Sequence, residues 1–501
     1  MRYPVINPSN SKCSTIPIFS LNNQYSRNFH LSWLGFFVAF LSWFAFAPLI
    51  PDAIKTDLKL TSEEVGNSNI VSLCATLVVR LISGPLIDRY GPRKVMAGLL
   101  IIGAIPSGLA GTISTAQGLY IVRFFIGILG ATFVSCQAWN TAFFDKNVVG
   151  TANALGGGWG NAGGGFTFII MIALFNQLLA DGMSPHVAWR VAFAIVPVPI
   201  LLSVAAAILM FGTDHPAGKW SDRYKAVATT LPASDDQTSN SENIKTKSGD
   251  DIETGDEKNI KVTVTAVTAT SQCLSFSFVD FAYLVSELDT AVNNPLSLNT
   301  AYEIILNPLT WLPSLAYMTT FGYELAIDVN LATVLYTLFK SPTFGQTKAG
   351  YIAGIYGLLN VFFRPLGGYF GDLIYVKFGV PGKKYLTIAC GVAQGLLSLG
   401  LGFYIDNHSH PSLEVVIVIF VIIAMFNEVA NGVNFALVPH CNPNSNGFMT
   451  GIVGAMGNLG GVFFAIIFRF QPYPLGRAFW IAGVIAVGVN LLLCIIRVPQ
   501  F

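Results

Sequence analysis

The chain has 501 residues, 53% of them hydrophobic and only 11% charged, with a mean hydropathy of +0.58. A soluble domain carries about 25% charged residues, so this composition describes an integral membrane protein. A formal net charge of +1 excludes a broadly basic surface, and no nucleic-acid partner is expected.

Residues 1–29, opening MRYPVINPSNSKCSTIPIF, are polar, lack the basic-then-apolar shape of a signal peptide, and read as a flexible tail. Twelve apolar stretches follow near 31–51, 66–87, 95–114, 117–139, 150–178, 189–211, 311–336, 346–371, 384–405, 412–438, 447–469 and 475–496. Each is close to the ~20 residues that a spanning helix needs. Runs this long exclude barrel strands, leaving helices as the structure that satisfies its own backbone in lipid. The expected class is an all-α membrane protein with two pseudo-symmetric six-helix bundles, 30–212 and 306–501, separated by a central segment at 213–305.

Basic residues in short loops set the orientation. Arg89, Arg93 and Lys94 follow the second stretch and Lys377, Lys383 and Lys384 the eighth, while the loop after the first is acidic on balance. Both termini and the central segment are therefore expected in the cytoplasm, against the placement of Arg469 and Arg477. The sequon Asn407-His408-Ser409 falls on the outer side. Within the central segment, Ser234–Lys261 has a disordered composition that suits either a plain linker or a site for a regulatory kinase. Leu274–Val285 is apolar, too short to span, and suits the membrane surface.

Leu77–Lys94 reads LVVRLISGPLIDRYGPRK and Leu358–Asp372 reads LLNVFFRPLGGYFGD. Arg80, Gly84 and Asp88 return as Arg364, Gly368 and Asp372, each 284 residues later. Arg80 precedes the polar turn at Asp88 by eight positions, which at ~1.5 Å per residue puts it about 12 Å down, near the middle of a ~30 Å core. A charge at that depth faces a cavity or a partner. Two such cations, one from each half, call for an anion between them.

The string Gly84-x-x-x-Asp88-Arg89-x-Gly91-x-Arg93-Lys94 resembles the cytoplasmic loop signature of the major facilitator superfamily, with an echo at Gly368–Asp372. The resemblance implies gating by Gly84, Asp88, Arg89, Arg93 and Asp372, with Asp88 latching onto basic residues or a helix N-terminus of the other bundle. A second repeat pairs Gly157–Gly164 with Gly454–Gly461. Gly158, Gly160 and Gly163 fit GxGxxG, but neither the strand nor the distant acid of a dinucleotide site is present, so no such cofactor is expected. Seven scattered cysteines without metal-ligand spacing point to no metal or disulfide framework. Gly160, Gly164, Gly457 and Gly461 suit close helix packing. The Asn repeated at 161 and 458 suits an anion contact, because a neutral amide donates hydrogen bonds.

The two arginines and the glycine–asparagine stretches resemble the nitrate/nitrite porter family, its fungal members in particular. The resemblance implies a proton-coupled plasma-membrane carrier of nitrate and nitrite, not an enzyme. It assigns anion binding to Arg80 and Arg364, maps the family's asparagines onto Asn161 and Asn458, and adds a tyrosine of the seventh helix. That tyrosine is Tyr317, with Tyr323 as the competitor. The chemistry agrees: a planar guanidinium offers a flat oxyanion two parallel N–H donors, which Lys cannot. Phe40, Trp43, Phe44 and Phe46 are candidates to wall the pocket, Phe40 foremost, or to fill the core. Glu324, Asp328 and Glu428 are candidates for a symported proton or for pairing with Arg123, Glu324 and Glu428 being the first choices. Nitrate/nitrite exchange, a non-transporting anion sensor and an organic-anion carrier are the competing functions.

Overall fold

The computed structural model describes residues 3–7, 10–145, 148–222, 297–441 and 446–498. The expectations for Ser234–Lys261 and Leu274–Val285 lie outside these residues. Twelve spans, numbered here α1–α12, cover the apolar stretches. They are Gln24–Asp57, Ser62–Tyr90, Pro92–Thr112, Ala116–Phe143, Val149–Ala180 and Pro185–Phe211, then Pro308–Phe339, 346–378, 380–407, Leu413–Cys441, Gly447–Phe470 and Arg477–Ile495. Ten helical segments among the described residues are long and apolar enough to cross a membrane. One of them, 62 residues long, is two spans broken at Gly379, where φ is +63°. The remaining span, α7, is the one that carries Glu324 and Asp328 among its buried residues.

Local chemistry sets the ends. A capping box of Thr61 and Glu64 opens α2. Gly91, at φ +90°, closes it, and Pro92 starts α3 where its missing N–H costs nothing. The halves meet along two related seams, α2 on α11 and α5 on α8. At the Asp88 end of the first seam, a Cβ on Gly84 would lie 2.8 Å from the Gly447 carbonyl. At the Asp372 end of the second, a Cβ on Gly368 would lie 2.7 Å from the Gly150 carbonyl. Contacts this close tolerate only glycine.

The N-terminal stretch differs from the flexible tail expected. Cys13 exchanges main-chain hydrogen bonds with Phe143 and Asp145, at 2.9 and 3.0 Å. Lys12 is buried and donates Nζ to the Thr141 carbonyl at 2.9 Å, and Tyr25 Oη reaches the Ser11 carbonyl at 2.7 Å. The cause is the end of α4, whose last carbonyls need donors that the helix cannot supply.

Candidate functional site

Arg80 and Arg364 are 0% and 1% exposed and converge on the same aromatic rings. The Arg80 guanidinium lies 4.9 Å from the Phe133 ring centre and 5.1 Å from that of Phe321. Arg364 lies 5.6 Å from each. The two Phe133 distances, 4.9 and 5.6 Å, cap the separation of the guanidinium carbons at 10.5 Å. Tyr317 stacks on Phe321, one helical turn along α7, at 4.6 Å with planes 3° apart. Phe435 closes the cluster edge-on, 4.8 Å from Phe133 and 4.9 Å from Tyr317.

The arginines are held differently. Arg80 Nε donates to the Gly130 carbonyl at 2.9 Å and Nη1 to that of Gly454 at 2.8 Å. Its Nη2 is buried with no hydrogen-bond partner. Arg364 donates Nη2 to Tyr317 Oη at 2.8 Å and Nη1 to Asn360 Oδ1 at 3.5 Å. Among the described residues no carboxylate forms an ion pair with either guanidinium. Each lies against a glycine of the other half: Gly454 would place a Cβ 3.3 Å from Arg80, and Gly157 one 3.1 Å from Arg364. Glycine on α5 and α11 therefore makes room for the cations.

The other sequence candidates fall into distinct places. Tyr317 joins the arginines, whereas Tyr323 is bonded to Ser398 at 2.9 Å, away from them. One N–H of the Asn161 amide is taken by Glu324, an acid of the opposite half. Asn458 donates to the Gly454 carbonyl at 3.1 Å, the acceptor it shares with Arg80, so its amide too is engaged. Phe40 packs on Phe36 and Trp43, at 4.4 and 5.1 Å, one layer behind the rings that the arginines face. Gly160 abuts Phe36 and Gly457 abuts Tyr317, where a Cβ would approach to 2.0 and 2.6 Å. Gly461 would meet Leu325 at 3.1 Å, while Gly164 has only an ordinary 3.5 Å neighbour in Phe44 and could carry a methyl.

Glu324 is fully buried and accepts from three amides: Asn161, Asn360 at 2.8 Å and Asn431 at 2.8 Å. Asn360 thus links Glu324 to Arg364. Glu428 is buried beside Glu324, and among the described residues no amide, hydroxyl or cation donates to either of its oxygens. Among the described residues Arg123 pairs with none of the acids. Its Nη1 donates to Ser68 Oγ at 2.6 Å and Asn69 Oδ1 at 2.7 Å. Sequence reasoning missed Phe133, Phe321, Phe435 and Asn360. Phe321 and Asn360 each lie one turn from a residue it did choose, which is the signal that would have found them.

Both ends of the seams are closed. Asp88 Oδ2 accepts the Phe448 N–H of α11 at 3.2 Å. Asp372 accepts the Thr151 N–H and hydroxyl of α5, each at 2.8 Å, and pairs with Lys383 at 3.0 Å. Each acid thus sits at the positive N-terminal end of a helix from the opposite half. Arg93 stays within its own half, bonded to the Leu209 and Gly212 carbonyls at 3.1 Å and paired with Asp214 at 3.3 Å. Arg89 lies over Tyr90 at 5.2 Å. Arg93 is turned from the seam by the nearer acceptors at the end of α6. At the opposite end Asn69 donates to the Val329 carbonyl at 3.1 Å and Asn330 Oδ1 at 3.2 Å, and Arg469 pairs with Glu63 at 3.0 Å.

Twelve helices in two related halves, meeting at a buried centre and closed at both ends, define a multi-pass membrane transporter. The profile of the Major Facilitator Superfamily matches residues 32–465. The proton:xylose symporter XylE has this fold, with a TM-score of 0.62 at 14% identity over 94% of this chain and 96% of that one. "High affinity nitrate transporter 2.5" of Arabidopsis thaliana is 32% identical over 98% of this chain and 83% of the relative. "Nitrate/nitrite transporter NrtP" of Nostoc punctiforme is 28% identical over 91% and 89%. The chain belongs to the nitrate/nitrite porter family of the Major Facilitator Superfamily, a family of transporters rather than enzymes.

Proposed function

We propose that this transporter carries nitrate, and nitrite, inward across the plasma membrane with both termini in the cytoplasm, and that protons drive it. One observation supports the cargo best: two buried guanidiniums from opposite halves face common rings, without a carboxylate partner, and Arg80 Nη2 has an N–H with no acceptor. An unpaired buried charge is costly, and a small flat oxyanion satisfies it. The names of the relatives agree with this cargo. The proton reading rests on Glu324 and Glu428, two buried neighbours of like charge; one proton held between them removes the repulsion. Drawing an anion into a negative interior costs ~2.3 kcal/mol per charge per 100 mV, so accumulation needs more than one proton per nitrate. Nitrate/nitrite exchange would need no such acids.

The test is labelled-nitrate uptake into vesicles with pH and voltage imposed. Arg80→Lys and Arg364→Lys are each expected to lose uptake although the charge remains, because an ammonium cannot keep a guanidinium's fixed fork. Near-normal affinity in either variant would refute the two-arginine centre, and uptake indifferent to the proton gradient would refute symport.

A further inference from the structure

A third guanidinium lies in the membrane away from the centre. Arg123, on α4, is 2% exposed, and among the described residues it has no carboxylate partner. It is held as Arg80 is: neutral acceptors take some of its N–H groups, Nε is buried with no partner, and an aromatic ring, Phe46, lies 5.8 Å away. Its partner Asn69 precedes Arg80 on α2 by 11 positions, or ~16 Å toward the end opposite Asp88. On the orientation proposed above, that is the side from which the cargo enters.

We propose that Arg123 is an outer anion site, where the small oxyanion is held before it reaches Arg80 and Arg364. This rests on the reading of the cargo given above. The position explains two things that a simple brace does not. A buried cation with neutral partners and a spare N–H attracts an anion that must cross a low-dielectric passage. Two sites in series let cargo enter and leave without one very deep well. Arg123 also holds Asn69 by its Oδ1, which aims the Asn69 amide at Val329 and Asn330 of α7 and closes the outer seam. An anion on Nη1 competes with Asn69 Oδ1 for the same N–H, so arrival of cargo loosens the contact that shuts the entrance.

The experiment is nitrate uptake by the full chain in proteoliposomes, with KM and kcat measured separately. Arg123→Gln is expected to raise KM about ten-fold and change kcat less than two-fold, with Arg123→Lys restoring part of the affinity. Ser68→Ala removes a brace and leaves the cation, so its KM is expected within two-fold of the parent. A fall in kcat at unchanged KM, or a Ser68→Ala defect equal to that of Arg123→Gln, makes Arg123 a bracket and overturns the proposal. Should Arg123→Gln fail to insert, Arg123→Lys and Ser68→Ala still decide by the same KM comparison. Failure of the nitrate reading is distinct: the parent protein would then show no saturable nitrate uptake.

Discussion

Arg80 and Arg364 hold equivalent positions in the two halves, yet main-chain carbonyls grip the first and side chains grip the second. The frame around them is shared. Gly160 meets Phe36 as Gly457 meets Tyr317, and Gly163 reaches the Phe37 carbonyl as Gly460 reaches that of Met318. α1 and α7 therefore correspond at an offset of 281 residues. At that offset Phe40 answers to Phe321 and Trp43 to Glu324, while Asn360 answers to Thr76 at the α2–α8 offset of 284. Duplication supplied two cations and two glycine seams. Divergence of α7 then placed the tyrosine and the carboxylate in one half only. On the reading proposed above, anion binding is a property of both halves and proton coupling of the second.

The sharpest way to break this contrast is to neutralise its one-sided member. Glu324→Gln is expected to abolish accumulation against a gradient, by ten-fold or more, while exchange of labelled for internal nitrate persists within about three-fold. Trp43→Phe, at the equivalent place in the first half, is expected to leave accumulation intact. Vesicle uptake with and without a proton gradient measures both. Continued accumulation by Glu324→Gln would remove the second half's special role.

How much of this was readable beforehand follows from what the two halves share. Twelve spans, the paired arginines, and the acids at Asp88 and Asp372 all lie in motifs that repeat, and repetition is visible in a sequence. Tyr317, which the family's pattern suggests, bonds to Arg364. The failures fall where the repeat diverges. The aromatic run of α1 offers Phe40 as a wall of the pocket, yet the rings facing the arginines come from α4 and α7. Asn161 was read as a cargo ligand because nothing local shows that Glu324, 163 positions away, lies against its amide. Phe133 carries no local motif, and only the tertiary structure brings α4 to the centre.

A smaller effect is expected at the closing acids. Asparagine keeps the shape of Asp88 or Asp372 and loses the charge at a helix N-terminus, worth about 0.5–1 kcal/mol, or roughly a two- to five-fold shift toward opening at that end. Asp372→Asn also takes the carboxylate from buried Lys383, which is left with the Ala436 carbonyl and the His440 ring. Labelling of single cysteines placed beside Thr151 and Phe448 reports the opening. Equal labelling in parent and both variants would deny these acids any role in closure.

The smallest contrast concerns what braces the polar turn beside each seam. In the second half Lys383 serves, bonded to Asp372 itself. In the first, Arg93 pairs with Asp214 at 3.3 Å, and Trp220 donates to the Asp88 carbonyl at 2.8 Å. Burial lifts the Asp214 carboxyl above its usual range, and Arg93 and Lys94 only partly oppose it. A carboxyl raised in the folded state favours folding when protonated, and that advantage disappears as pH rises through its folded value. At pH 7 the burial of this carboxyl therefore works against the fold. Asp214→Asn is expected to melt at the same temperature as the parent or a degree or two above it. The gap should close as pH falls below the unfolded carboxyl value of about 3.9, where the carboxyl is protonated in the folded and the unfolded chain alike. A melting temperature several degrees lower at pH 7 would show that the Arg93 pair outweighs the burial, and that the first half, like the second, braces its turn with a stabilising ion pair.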